Sequence, residues 1–263
     1  MPEMLENSPL VSIVTVVFNG ESYLEETILS VSNQRNSQME HIIVDGGSTD
    51  GTVDILKKYN HKIDCWISEP DQGIYHAMNK GVTLANGKFI GFLNASDIFY
   101  QNTLNMIISA IQERDFDYSM GPVDVVNFQG SKLYTALPLK NFIYKQGSYM
   151  QMSAPHMSVF IKRQLFEMLG GYDVSFRLSA DYDLLLRLAQ RTNNVFYLDN
   201  IVGAFRLGGK SGSIETYIDN FRVLKKHKLH WFINVSITTY YLLRWSIVLV
   251  LPEKLINFFR HNK

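Results

Sequence analysis

From Val11 to Val17 the chain reads VSIVTVV, a mostly β-branched run of the kind that forms a strand buried on both faces. It ends at Asn19-Gly20, a turn signal, after which Tyr23, Leu24, Thr27, Ile28 and Val31 recur at helical spacing. His41 to Val44 (HIIV) predicts a second short strand, closed by Asp45-Gly46-Gly47. Ser48 or Thr49 is placed to cap a helix in which Val53, Ile55, Leu56 and Tyr59 recur. Ile63 to Ile67 predicts a third strand, Gln72 to Ala85 a helix, and Lys88 to Leu93 (KFIGFL) a fourth strand. Strands alternating with helices of this length predict an open α/β fold with a mostly parallel sheet. Ligands in such sheets bind beyond the carboxyl ends of the strands, where Asn19, Asp45 and Asn94-Ala95-Ser96-Asp97 fall.

After Asp97 the alternation loosens. Thr103 to Gln112 reads as a helix, and Tyr118 to Phe128 and Lys132 to Thr135 as short strands with turns between. MSVFI after His156 reads as a strand, and Arg163 to Leu169 and Ala180 to Arg191 as helices separated by Gly170-Gly171. Val195 to Leu198 and Ile201 to Phe205 are further strands. With no internal repeat and no Gly/Ser/Pro linker, the chain reads as one compact domain with a C-terminal extension.

Trp231 to Leu251 reads WFINVSITTYYLLRWSIVLVL, with Arg244 as its only charge. The length approaches the ~20 apolar residues that span a bilayer. Asn234, Ser236, Thr238, Thr239 and Ser246 dilute it, and a central Arg costs about 2.5–3.5 kcal/mol on insertion. Lys225, Lys226 and Lys228 precede the segment, Lys254, Arg260 and Lys263 follow it, and aromatics punctuate it. That mixture suits a helix lying in an anionic membrane interface. Packing on the main domain, a homodimer contact and a membrane span remain as other readings.

Composition narrows the classes further. In 263 residues, 25 Lys and Arg balance 25 Asp and Glu, so no global basic footprint for nucleic acid exists. The single cysteine, Cys65, excludes a disulfide framework and a zinc site of several thiolates. The N-terminus lacks a basic region followed by an apolar run, so no signal peptide is expected and a cytoplasmic location is. Neither G-x-G-x-x-G nor G-x-x-x-x-G-K-[ST] occurs, which removes the dinucleotide-binding and phosphate-loop readings.

Candidate chemistry lies at the strand ends. Asp45 precedes two glycines that let backbone approach a ligand, so its carboxylate reads as a contact to a base or ribose, or as a strand-ending turn residue. Asp97, beside Asn94 and Ser96, offers hard oxygens to Mg²⁺ or Mn²⁺, or caps a following helix. In Asp71-Gln72-Gly73-Ile74-Tyr75-His76-Ala77-Met78-Asn79-Lys80-Gly81, Asn79 and Lys80 are placed to reach a diphosphate while Tyr75 and Met78 pack inside. Asp181 and Asp183 open a helix, either as dipole and cap residues or with one as a general base.

Taken in order, these segments resemble the family 2 glycosyltransferases, inverting enzymes of the GT-A fold. The resemblance covers roughly Val11 to Ser213 and rests on VSIVTVVFNGESYLEETILSVSNQ, HIIVDGGSTDGTVDIL, SEPDQGIYHAMNKGVTLANGKFIGFLNASD and PHMSVFIKRQLFEMLGGYDVSFRLSADYDLLLRL. It implies a GT-A domain over residues 1–213 with a Rossmann-like sheet, and a helical extension over 214–263 that is membrane-interfacial or dimerising. It implies that Val17, Asn19 and Glu21 border the nucleoside with Asp45 on the base, and that Asp71 and Gly73 line the nucleotide pocket. It places Lys80 and Lys210 at the phosphates, the latter in a loop GGKSGS, and Ser96 and Asp97 in the metal motif, with Asp97 as ligand to Mn²⁺ or Mg²⁺. Asp181 becomes the general base, with His156 and Asp183 on the acceptor side. The expected reaction moves a sugar from a nucleotide-sugar donor, UDP-linked, to a hydroxyl of a saccharide or lipid-linked saccharide in bacterial surface polysaccharide synthesis. Contact with the inner face of the membrane would run through 231–259. The chain departs from the family pattern at Asn94, Ser96, Met78 and Gly46, where acidic residues or an arginine are commoner. A catalytically inactive homologue that binds sugar nucleotide or glycan is therefore the alternative reading.

Overall fold

The computed structural model describes residues 8–139, 154–208 and 213–228. Strand β1 (Val11–Val17) runs through the middle of the main sheet, buried at every position. Helix α1 (Leu24–Ser32) returns the chain to β2 (Met39–Asp45), and α2 (Thr52–Lys58) leads to β3 (Cys65–Ser68). Helix α3 (Ile74–Leu84) then crosses back to β4 (Phe89–Asn94). β1 pairs in parallel with β2 on one side and β4 on the other, and β2 pairs in parallel with β3.

The second half completes this sheet and builds a smaller one. Two-residue β5 (Ile98–Phe99) precedes α4 (Thr103–Glu113), β6 (Tyr118–Met120), β7 (Val123–Val126) and β8 (Lys132–Ala136). β9 (Phe160–Lys162), α5 (Arg163–Met168), α6 (Ala180–Arg191), β10 (Val195–Tyr197), β11 (Gly203–Arg206) and α7 (Ile214–Lys226) follow. The main sheet has the order β10-β6-β9-β4-β1-β2-β3, with β9 antiparallel to both neighbours, and the small sheet the order β5-β11-β7-β8.

The period-2 alternation of β1 sorts its side chains between two layers. Val14 and Val16 face one layer with Tyr75, Met78 and Val82 of α3 and Leu184, Leu185 and Leu188 of α6. Val11 and Ile13 join Val31 of α1 and Leu104, Ile107 and Ile108 of α4, while Val17 meets Leu24 and Ile28. Helix α3 lies against β1 where Gly81 has no side chain; a Cβ there would stand 2.3 Å from Val14 Cγ1. Val223 and Leu224 of α7 belong to the same core as α6.

Three expectations change in detail. Ser48 and Thr49 do not cap α2, whose N-cap is Gly51 with no side-chain bond. Asp97 precedes a short strand rather than a helix, which removes the helix-cap reading of that residue. MSVFI is not one strand: His156–Ser158 forms a single 3₁₀ turn and the strand begins at Phe160. The 231–259 segment and Lys210 lie outside the described residues. Among the described residues no helix is long and apolar enough to cross a membrane.

Candidate active site

The strand registers align Val17 with Asp45, Asp45 with Ser68 and Val16 with Asn94, forming one row at the carboxyl edge. β1 has its crossover neighbours on opposite sides, so this edge is a topological switch point, the usual ligand crevice of an open α/β sheet.

Two loops are laced together above it. Asn19 N–H donates to Ser48 Oγ (2.7 Å), and Thr49 N–H donates to Asn19 Oδ1 (2.9 Å). Gly20 N–H donates to Thr52 Oγ1 (2.9 Å), Glu21 N–H to Asp50 Oδ2 (3.1 Å) and Gly51 N–H to Glu21 Oε2 (3.2 Å). Asn19 and Glu21 thus hold the loops after β1 and β2 as one rim, with Val17 buried beneath. Ser48 Oγ is thereby taken by Asn19, and α2 starts further on with Gly51 at its N-cap.

Asp45 is fully buried and accepts from Ser68 Oγ (2.6 Å), the Ser48 N–H (3.1 Å) and the Ser48 hydroxyl. With both oxygens occupied by Ser48 and Ser68, the carboxylate is not presented to a base or ribose in this structure and holds the loop after β2 from inside. Asp71 lies over Gly46, where a Cβ would come within 2.5 Å of Asp71 Oδ2. Asp71 Oδ1 accepts the Gly73 N–H (2.7 Å), at the N-terminus of α3. Asp45, Asp71 and Gly73 are therefore gathered at the ends of β2 and β3. The Lys80 ammonium is paired with Glu69 on the loop that carries Asp71.

Asp97 is fully buried, in a turn with Ser96 whose N–H at Asp97 returns to the Asn94 carbonyl (3.0 Å). Asp97 Oδ1 accepts the Arg206 N–H (3.0 Å). Asp97 Oδ2 and Asn94 Oδ1 are sealed from solvent without a partner. Burial pushes the Asp97 carboxyl up to about 7, against the pull of the Arg206 N–H and guanidinium and of the Asn94 and Ser96 side chains. Among the described residues no cluster of three or more His, Cys, Asp or Glu forms a ready-made metal cage. Both oxygens are hard donors of the kind Mg²⁺ or Mn²⁺ accepts, and both lie out of contact with solvent, so binding a cation requires the Asn94–Asp97 turn to open.

Across the sheet, Asp181 sits in the first turn of α6. Its Oδ1 accepts from Tyr75 Oη (2.8 Å) and from the Tyr182 N–H (2.9 Å). Asp181, His156, Tyr172 and Phe92 line a small cavity of about 10 Å³. His156 is buried with Nε2 unpartnered; burial lowers its pKa while the Asp181 charge opposes this. The structure thus brings Asp181 and His156 together. It does not bring Asp183 to them: that residue is fully buried, its Oδ1 bound by His227 Nε2 (2.9 Å) and Lys226 Nζ (2.8 Å) and its Oδ2 by Arg187 Nε (2.7 Å). Burial raises the Asp183 pKa, but these donors outweigh it and hold the carboxyl at about 2. Asp183 is an interior anchor for α7, and the acceptor-side role does not fit its surroundings.

Two residues at the site escape sequence reasoning. Tyr75 reads as core and is core by exposure, yet its hydroxyl reaches Asp181. Arg206 lies just past the predicted strand Ile201 to Phe205 and carries no role in the sequence reading. It caps Asp97 through its backbone, pairs with Glu26 (2.9 Å) and lies 4.5 Å over the Tyr23 ring.

The family model described as "Glycosyl transferase family 2" matches residues 12–166. A Mycobacterium tuberculosis protein named as an uncharacterized glycosyltransferase is 32% identical over 191 residues, 70% of this chain and 71% of its own length. A "PGL/p-HBAD biosynthesis glycosyltransferase" of Mycobacterium bovis is 30% identical over 214 residues, covering 79% of this chain and 81% of the relative. Among solved structures, Staphylococcus aureus TarS 1–349 in complex with UDP superposes with a TM-score of 0.67 at 18% identity, over 88% of this chain and 70% of that one. The mannosyltransferase PcManGT of Pyrobaculum calidifontis, in complex with GDP-Man and Mn²⁺, gives 0.65 at 16% identity, over 84% and 64%. With the switch-point crevice, the family match and these likenesses together, the chain belongs to glycosyl transferase family 2 and is a glycosyltransferase of the GT-A fold.

Proposed function

We propose that this glycosyltransferase moves a sugar from a nucleotide-sugar donor, UDP-linked, to an acceptor hydroxyl with inversion, Asp181 acting as base. The observation that carries this reading is the Asp181 carboxyl. Its Oδ1 takes both hydrogen bonds given to it by the described residues, leaving Oδ2 for an acceptor hydroxyl. In a single displacement, Asp181 takes the hydroxyl proton as the acceptor oxygen bonds to the anomeric carbon. The bond from that carbon to the diphosphate oxygen breaks, and the nucleoside diphosphate leaves with the electron pair. Attack from the face opposite the leaving group inverts the centre.

The rim built by Asn19 and Glu21, with Asp71 and Gly73 beside it, is the donor pocket in this reading, and Asp45 supports its floor. Asp97 and Asn94 would hold a divalent cation, Mn²⁺ or Mg²⁺, through their unpartnered oxygens. Such an ion, when bound, neutralises charge developing on the departing diphosphate. UDP and UDP-GlcNAc complexes of TarS and the GDP-Man and Mn²⁺ complex of PcManGT support the donor class. Lys210 is assigned to the phosphates and His156 to the acceptor side on the same reading.

The acceptor we assign is a lipid-linked saccharide of a bacterial surface glycan, met at the cytoplasmic membrane face through residues 231–259. The aromatic and basic composition of that segment and the "PGL/p-HBAD biosynthesis" name of the mycobacterial relative support it. Removing residues 231–263 is expected to lower co-sedimentation with anionic vesicles; unchanged binding overturns the membrane role, and loss of a dimer in light scattering assigns the segment to self-association.

The deciding test is a thermal-shift panel of UDP, GDP and their sugars with Mn²⁺ and with EDTA, followed by turnover of the donor selected. A ligand bound only by the native state adds RT ln(1 + [L]/Kd), about 2.7 kcal/mol at a hundredfold excess. A metal-dependent shift with a UDP-sugar, and turnover lost in Asp181→Asn with the shift kept, are expected. Donor binding without turnover on any acceptor would favour the non-catalytic alternative.

A further inference from the structure

The Tyr75 side chain is nearly buried, its ring packed on Tyr172 with centroids 5.1 Å apart. Packing alone asks only for the ring. The hydroxyl does something further: it donates to Asp181 Oδ1 at 2.8 Å, across 106 residues of sequence. With the Tyr182 N–H on the same oxygen at 2.9 Å, two donors from different elements fix one oxygen of the carboxyl and so fix the direction of the other.

Four residues along α3, on the same face, Asn79 grips the Tyr172 backbone in both directions. Its Nδ2 donates to the Tyr172 carbonyl (2.8 Å) and its Oδ1 accepts the Tyr172 N–H (2.9 Å). Tyr172 and Asp181 line the same cavity. One face of α3 therefore secures two of its walls. The N-terminus of that helix is Gly73, whose N–H is held by Asp71 in the donor pocket proposed above.

We propose that Tyr75 is a positioning residue for the general base, its hydroxyl aiming the Asp181 carboxyl at the acceptor, and that α3 ties this base to the donor loop. The proposal rests on Asp181 being the base. The groups facing the carboxyl are Tyr75 from α3, Tyr172 from the turn before α6 and His156 from the turn before β9. Burial, and then the Asp181 charge, raise Tyr75 and Tyr172 well above 10, so both keep their protons at neutral pH and the Tyr75 hydroxyl stays a donor.

The test is Tyr75→Phe, which keeps the ring. UDP release from the donor chosen by the binding panel is measured with water as acceptor, and folding is followed by thermal denaturation. The expected result is a folded protein whose kcat falls about tenfold at donor KM within about twofold. A donor KM raised as much as kcat is lowered overturns the proposal, because it assigns the hydroxyl to the fold of the pocket. Wild-type kcat in Tyr75→Phe, with Asp181→Asn inactive, overturns the Tyr75 role alone. Near-normal turnover of Asp181→Asn overturns both the base and this proposal.

Discussion

The Arg206 backbone N–H donates to Asp97 Oδ1 at 3.0 Å, so the last strand of the small sheet holds the carboxylate at the end of β4. The same residue reaches α1 through Glu26 and Tyr23. One oxygen of Asp97 is thereby fixed by the fold, while the other makes no hydrogen bond of normal geometry and faces the Asn94 and Ser96 side chains. Asp97→Asn preserves an oxygen acceptor for that N–H and removes the charge. Its melting temperature is expected to stay near wild type without ligand. The additional thermal shift that Mn²⁺ gives UDP should vanish, making the Mn²⁺ and EDTA curves coincide. A retained Mn²⁺ effect would remove Asp97 as a ligand.

The buried cluster around Asp183 predicts a stability defect. Replacing Asp183 by Ala leaves Arg187 and Lys226 without their shared anion and unties α7 from α6. Breaking a buried ion pair on one side costs on the order of 3–5 kcal/mol. Chemical denaturation should therefore show a large loss in Asp183→Ala, against a small one in Asp181→Asn. Equal stability losses would contradict the division of labour between these two carboxylates.

That division also shows what local sequence can convey. β1 at Val11–Val17 and α6 at Ala180–Arg191 follow directly from hydrophobic periodicity, because burial of one face or both is recorded in the residues themselves. The identity of the proposed base is different. Asp181 and Asp183 are both acidic residues of one helical turn, separated by about 200° around the axis. Only the arrival of Lys226 and His227 on one side and Tyr75 on the other tells them apart. Ser48 likewise carries a capping residue's chemistry, but Asp45 and Asn19 claim it through tertiary bonds. Arg206 gave no local sign because it acts on Asp97 through its backbone, which any residue but proline supplies.

Gly46 offers a test of the proposed donor pocket that leaves the proposed base untouched. A Cβ at this position meets Asp71 Oδ2 at 2.5 Å, so the carboxylate must swing and release the Gly73 N–H at the head of α3. Gly46→Ala should raise donor KM or Kd about tenfold, equivalent to about 1.4 kcal/mol, with kcat little changed. The obstructing atom is the end of a side chain, so the melting temperature should fall by only a few degrees. Wild-type donor affinity would place Asp71 outside the pocket.

His41 makes a prediction about acid stability that is independent of catalysis. It is buried in β2 beside Thr15 Oγ1 (2.9 Å), with Nδ1 unpartnered, and burial foremost, helped by Arg35, lowers its pKa from 6.5 to about 3. The folded protein keeps this ring neutral while the unfolded chain protonates it near 6.5, so the unfolded state binds the extra proton as pH falls. Folding stability from this group is complete above about 6.5 and declines below it by at most about 1.4 kcal/mol per pH unit, reaching about 2 kcal/mol at pH 5. The decline levels off once the folded ring also titrates, near 3. His41→Gln keeps a polar partner for Thr15 without a titrating group. Urea denaturation between pH 7.5 and 5 should therefore fall less steeply in the variant; parallel curves would show that the His41 ring accepts its proton without unfolding.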